Sequence, residues 1–130
     1  MSKGIKTGTD LSFLDALTQV RFVSLGFRDG EVDLAGPAWA SLKKLLRLEI
    51  AHSSDYALPR LLSLSPVARC ESLTSMIVGH FELMDTDLEP FLGHPNLKRI
   101  VTHRRTEWSS RSIDAVEAQG IQLVQGPLRR

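Results

Sequence analysis

A single cysteine, Cys70, stands in the chain, which excludes an internal disulfide and leaves the apolar core to hold the fold. Charge of one sign is equally scarce. Sixteen basic residues against fifteen acidic ones leave a formal charge of +1, so no global field draws the protein to nucleic acid or to an anionic membrane. Every apolar run is broken by Lys, Arg, Glu or Ser well before the roughly 18 residues that cross a bilayer. The opening "MSKGIKTGTD" lacks the apolar stretch of a secretory signal. A soluble cytoplasmic protein without membrane contact is expected. What remains is ordinary for one globular body: 130 residues, 42% of them hydrophobic.

Catalytic signatures are also missing. No Gly-x-Ser-x-Gly, His-Glu-x-x-His or Gly-rich phosphate loop occurs, and scattered Ser, His and Asp residues are found in any chain of this size. The acidic stretch "FELMDTDLEP", with Glu82, Asp85, Asp87 and Glu89, lacks the alternating ligands, central Gly and terminal Glu of a calcium loop. It reads as a solvated loop in which Thr86 or Asp87 caps a helical turn. No enzyme is expected, and no cofactor is implied.

What the chain does have is an internal repeat. The template L-x-x-L-x-x-L-x-L fits Leu17, Val20, Val23, Leu25; then Leu42, Leu45, Leu48, Ile50; then Cys70, Leu73, Met76, Val78. A fourth copy, His94, Leu97, Ile100, Thr102, is degenerate at both ends, and a partial fifth survives as Ile121 and Leu123. Taking Val23, Leu48, Met76, Ile100 and Leu123 as markers, the intervals are 25, 28, 24 and 23 residues. The stretch "DLSFLDALTQVRFV" from Asp10 also aligns without gaps on "DLEPFLGHPNLKRI" from Asp87.

With these spacings the chain resembles a leucine-rich-repeat protein over residues 10 to 125. The resemblance implies an α/β fold: a short solenoid with a curved parallel sheet of four or five strands and helical or irregular returning segments. Residues 1–9 are expected to be a disordered start, 10–126 one domain and 127–130 a tail. One family feature is absent. The Asn that follows each strand and bonds loop backbone from coil to coil would fall near Arg28, Ser53, Phe81 and Arg105, and only Ser53 could partly imitate it.

In each copy the last two template positions are two residues apart, which in a strand points both side chains to one face. Val23 with Leu25, Leu48 with Ile50, and Met76 with Val78 should face inward. The returning segments "DLSFLDAL", "AWASLKKLL", "ALPRLLSL", "TDLEPFLG" and "SRSIDAVEAQG" read as helical or turn-like, the last capped by Ser109 or Ser110 and ended by Gly120. "GFRDGEVDLAGP", "HSSDYALP" and "THRRTEWSS" read as connections.

The residues between the inward positions form outward columns. One is Phe22, Arg47, Ser75, Arg99 and Gln122; the next is Ser24, Glu49, Ile77, Val101 and Val124. A third, Gly26, Ala51, Gly79, His103 and Gly126, is a border of mostly small residues where another backbone could approach. Apolar points set among arginines have the composition of an interface. A protein-binding face is therefore expected at Phe22, Arg47, Glu49, Ile77, Arg99 and Val101, extended by His103, Arg104 and Trp108. A homodimer through the same sheet is the bland alternative.

Two other chemistries compete. His103, Arg104, Arg105 and Arg111 around Trp108 could hold phosphate or stack bases, but a cluster this short in a nearly neutral chain favours a solvated loop whose Trp108 covers the core edge, and nucleic acid is disfavoured. His52 and His80 each lie four residues past their markers and could stack at the strand spacing as a start to a metal site, but no carboxylate or Cys completes the ligand set. The reading is a non-enzymatic module that binds a protein partner. In size and texture the chain also resembles bacterial immunity proteins that neutralise a cognate toxin.

Overall fold

The computed structural model describes residues 2–5, 11–28, 30–52, 58–103 and 105–126. Nine strands follow along the chain: β1 (Ser2–Ile5), β2 (Phe22–Phe27), β3 (Glu31–Val32), β4 (Arg47–His52), β5 (Arg60–Leu61), β6 (Ser75–Val78), β7 (Glu82–Leu83), β8 (Arg99–Thr102) and β9 (Gln122–Gln125). They form two sheets. The larger has the order β1-β2-β4-β6-β8-β9 and the smaller β3-β5-β7, and every pairing is parallel. Parallel neighbours need a crossover between them, and here each crossover carries a strand of the small sheet, a helical turn, or both. The protein is α/β.

Register in the larger sheet follows the repeat. Val23 pairs with Leu48, Leu48 with Met76, Met76 with Ile100 and Ile100 with Leu123. Because side chains alternate along a strand, this brings each inward pair to one face. Val23, Leu25, Leu48, Ile50, Met76, Val78 and Ile100 are all buried there. Of the template positions before the strands, Leu42, Leu45, Cys70, Leu73 and Leu97 are buried and complete the same core, while Leu17 and Val20 pack against it half-buried.

Three expectations are corrected. The sheet has six strands, not four or five, because β1 pairs alongside β2 with Ile5 opposite Phe27. That strand, Ser2–Ile5, falls within the stretch 1–9, of which residues 1 and 6–9 lie outside the described residues, as does the 127–130 tail. The small sheet runs through segments read as connections and as the helical "ALPRLLSL": Glu31 pairs with Arg60 and Arg60 with Glu82, with Val32 and Leu61 buried between them. In that segment the helical turn starts only at Ser65.

Helical content is sparse. The turns Leu11–Ala16, Trp39–Ser41, Ser65–Arg69 and Glu89–Phe91 are 3-10 helices, two of them with proline in the first turn. The one α-helix among the described residues, α1 (Ser110–Ala118), is capped by the Ser109 hydroxyl, which accepts the Ser112 N–H, and stops at Gly120, whose φ of 98° suits glycine. Among the described residues no helix is long and apolar enough to cross a membrane.

Side chains on the returning segments bond backbone of the preceding repeat. The Ser72 hydroxyl shares its proton between the carbonyls of Leu42 (3.0 Å) and Leu45 (2.6 Å). Asn96 Nδ2 donates to the Glu71 carbonyl at 2.7 Å, and His94 Nε2 donates to Cys70 O at 2.8 Å while its Nδ1 accepts the Leu97 N–H. The degenerate His94 of the fourth copy is therefore a polar tie between repeats. In the next layer the Ser112 hydroxyl donates to Asp87 Oδ1 at 2.9 Å and accepts the Leu88 N–H. These contacts link repeats from positions other than the four where the family's Asn was sought. Ser72→Ala strips two carbonyls at once and should lower stability by about 1–3 kcal/mol in urea unfolding. A change within error would show that water replaces the hydroxyl without loss.

Candidate binding surface

The two outward columns are in register. Phe22, Arg47, Ser75, Arg99 and Gln122 lie side by side across β2, β4, β6, β8 and β9, as do Ser24, Glu49, Ile77, Val101 and Val124. Phe22 is 38% exposed, Arg47 and Arg99 are exposed, and Ile77, Val101 and Val124 are half-buried. The Arg47 guanidinium sits 5.6 Å from the centre of the Phe22 ring, a cation–π contact that holds both groups on the face. The Ser24 hydroxyl donates to Glu49 Oε1 at 2.6 Å, which fixes the carboxylate beside Ile77. An apolar pair, Ile77 and Val101, is thus framed by Glu49 on one side and by the Arg47 and Arg99 column on the other.

The third column differs from its reading as an open border. Ala51 and Gly79 are buried, and a Cβ on Gly79 would lie 3.3 Å from Ala51 Cα and 3.4 Å from Ile50 O. At Gly79 the small residue accommodates the neighbouring strand of this chain, whereas at Gly126 a Cβ would meet nothing within 4 Å.

The loop contributes less than the sequence suggested. Trp108 is 5% exposed and belongs to the core, so it covers the core edge and presents no ring for stacking. Arg111 turns away to Glu89, 3.0 Å from Nε to Oε1. Arg104 lies outside the described residues. The basic aromatic cluster is thereby split, and His103 and Arg105 are the members described together near the sheet.

The histidines pair otherwise than by position. His80 stacks on His103, with ring centres 4.6 Å apart and planes 13° from parallel, whereas His52 sets its edge against Phe81 at 5.8 Å. His103 Nδ1 accepts the Arg105 N–H at 3.1 Å, a turn that swings its ring onto His80. Burial, followed by the charges of His103, His52 and Arg105, holds His80 below its ordinary pKa, so the imidazole is neutral at pH 7. Stacked rings do not converge their nitrogens on a common point. Among the described residues no three His, Cys, Asp or Glu side chains are placed to hold one metal ion.

Sequence reasoning missed an open pocket of about 350 Å³ past the end of β6, lined by Leu58, His80, Phe81, Glu82, Leu83, Thr86 and Glu107. It draws on β7 and on two loops distant in sequence, so no local motif marks it. Comparison with family models, with curated proteins and with solved structures gives no match for this chain.

Proposed function

We propose that the chain is a short leucine-rich-repeat solenoid that serves as a non-enzymatic protein-binding module, with the outward face of β2, β4, β6, β8 and β9 as its contact surface. The observation that carries this reading is the in-register apolar pair Ile77 and Val101 set among Phe22, Arg47, Glu49 and Arg99. Buried apolar anchors ringed by Arg and polar groups are where binding energy concentrates. The repeat spacing and the matching strand register support the solenoid. A cytoplasmic immunity role, in which the face occludes a cognate toxin, is the specific form we favour. Trp108 drops out of the contact set on burial, and a nucleic-acid site in the loop would have to do without its ring.

The test is capture of a partner from the native host by wild type and by the Ile77→Arg, Val101→Glu variant. The two positions face each other in register, so the new charges can pair across β6 and β8 without unfolding the sheet. One protein held by wild type should be released, its affinity falling by about 2 kcal/mol or more, roughly 30-fold. Equal retention by the folded variant sinks the face as the site. A concentration-dependent dimer in sedimentation, abolished by the same variant, would assign the face to self-association instead.

A further inference from the structure

The pocket past the end of β6 has a composition that selects its occupant. Its floor is apolar, from buried Phe81 and half-buried Leu83 with exposed Leu58 at the edge, and exposed Glu82 and Glu107 bring two carboxylates to its rim. Both glutamates are exposed, and among the described residues neither carboxylate has a hydrogen-bond or ion-pair partner. Their neighbours do: Glu31 pairs with Arg60 at 3.6 Å and Glu89 with Arg111 at 3.0 Å. Arg60 stands opposite Glu82 in register, yet its guanidinium is directed to Glu31.

An anion would meet two carboxylates at the rim, and a neutral guest, even one that donates hydrogen bonds to them, would leave their charge uncompensated. A cation on an aliphatic stem satisfies floor and rim together, because its methylenes cover Leu58 and Leu83 while its head reaches carboxylate oxygen. His80 faces the same space. It is stacked on His103, and burial with the charges of His103, His52 and Arg105 favours its neutral form, which adds no repulsion to a cation. A volume of about 350 Å³ lies at the small end of ligand sites, suited to one side chain and not to a large cofactor. The pocket is also continuous with the proposed contact face: His80 follows Ile77 by three residues and His103 follows Val101 by two.

We propose that this pocket receives one arginine or lysine side chain of the protein partner, an inference that rests on the binding-module reading above. The stem lies on Phe81, Leu58 and Leu83, and the head group bridges Glu82 and Glu107.

The probe is n-butylguanidinium, a side chain without a protein, titrated into the full chain and followed by NMR. Saturable shifts at His80 and Thr86 are expected, absent with the neutral isostere n-butylurea and weakened about tenfold or more in the Glu82→Gln, Glu107→Gln variant. Both substitutions sit on exposed positions and leave the core untouched. No saturable shift, or equal affinity in the double variant, overturns the proposal. Partner capture separates the two claims. Release of the partner by the Glu82→Gln, Glu107→Gln variant supports the pocket as part of the interface. Full retention there, with release by Ile77→Arg, Val101→Glu, overturns the pocket's occupant and leaves the module standing. Butylguanidinium binding in a chain that captures no protein overturns the module and the partner's side chain with it, and assigns the pocket to a free small cation.

Discussion

Trp39→Ala should lower the free energy of unfolding by about 3–5 kcal/mol, the largest loss expected from a single truncation in this chain. Trp39 sits in a one-turn 3-10 helix, is 1% exposed, and packs in the continuous core. Its indole Nε1–H also donates to the Leu34 carbonyl at 2.7 Å. Alanine therefore removes a large apolar body and strands a buried acceptor. Trp39→Phe separates the two effects, since it keeps most of the ring and loses the donor, and should cost about 1–3 kcal/mol. The measurement is urea unfolding by circular dichroism, with the midpoint falling at constant slope. An Ala variant within about 1 kcal/mol of wild type would mean that the turn relaxes onto the cavity, and that the wall opposite the large sheet is looser than its burial implies.

How much of this was legible in the sequence depends on the length of each signal. The strands β2, β4, β6, β8 and β9 were marked by a template that repeats five times, and the pairing of Val23, Leu48, Met76, Ile100 and Leu123 follows it residue for residue. The small sheet was not legible, because a two-residue strand such as Glu31–Val32 has a single alternation and no period to detect. Its strands form where the chain of one repeat lies beside the next, as when Arg60 N–H bonds Gly30 O and Glu82 N–H bonds Pro59 O. That is a consequence of stacking and not of local preference.

The same distinction divides the candidate site. Outward columns on the large sheet could be read from alternation alone, and they are in register as expected. Loop residues could not. Trp108 was offered both as a contact residue and, in the favoured reading, as a cover for the core edge; Thr106 and Trp108 are buried on either side of exposed Glu107, which fits the cover and not the contact. His52 and His80 share a position in the repeat, but Phe81 takes the edge of His52 and the turn after β8 delivers His103 to His80. The pocket needed the third dimension throughout, since Leu58, Glu82 and Glu107 come from three separate returns of the chain.

Leu48→Ala tests the register on which the contact face depends. Leu48 is fully buried, with Val23 beside it on β2 and Met76 on β6, so truncation leaves a cavity in the middle of the large sheet and should cost about 2–5 kcal/mol. Leu46, two residues earlier and just before the strand, is 41% exposed, and Leu46→Ala should stay within about 0.5 kcal/mol of wild type. The comparison discriminates because a one-residue slip of β4 would move every inward side chain to the outer face and bring Arg47 and Glu49 into the core. If the two costs were equal or reversed, the columns that hold Arg47 and Glu49, Ile77 and Val101 would no longer face solvent, and the proposed contact surface would fall with them. A large cost at Leu48 beside a negligible one at Leu46 fixes the inner face by energetics, and with it the outer face that a partner can reach.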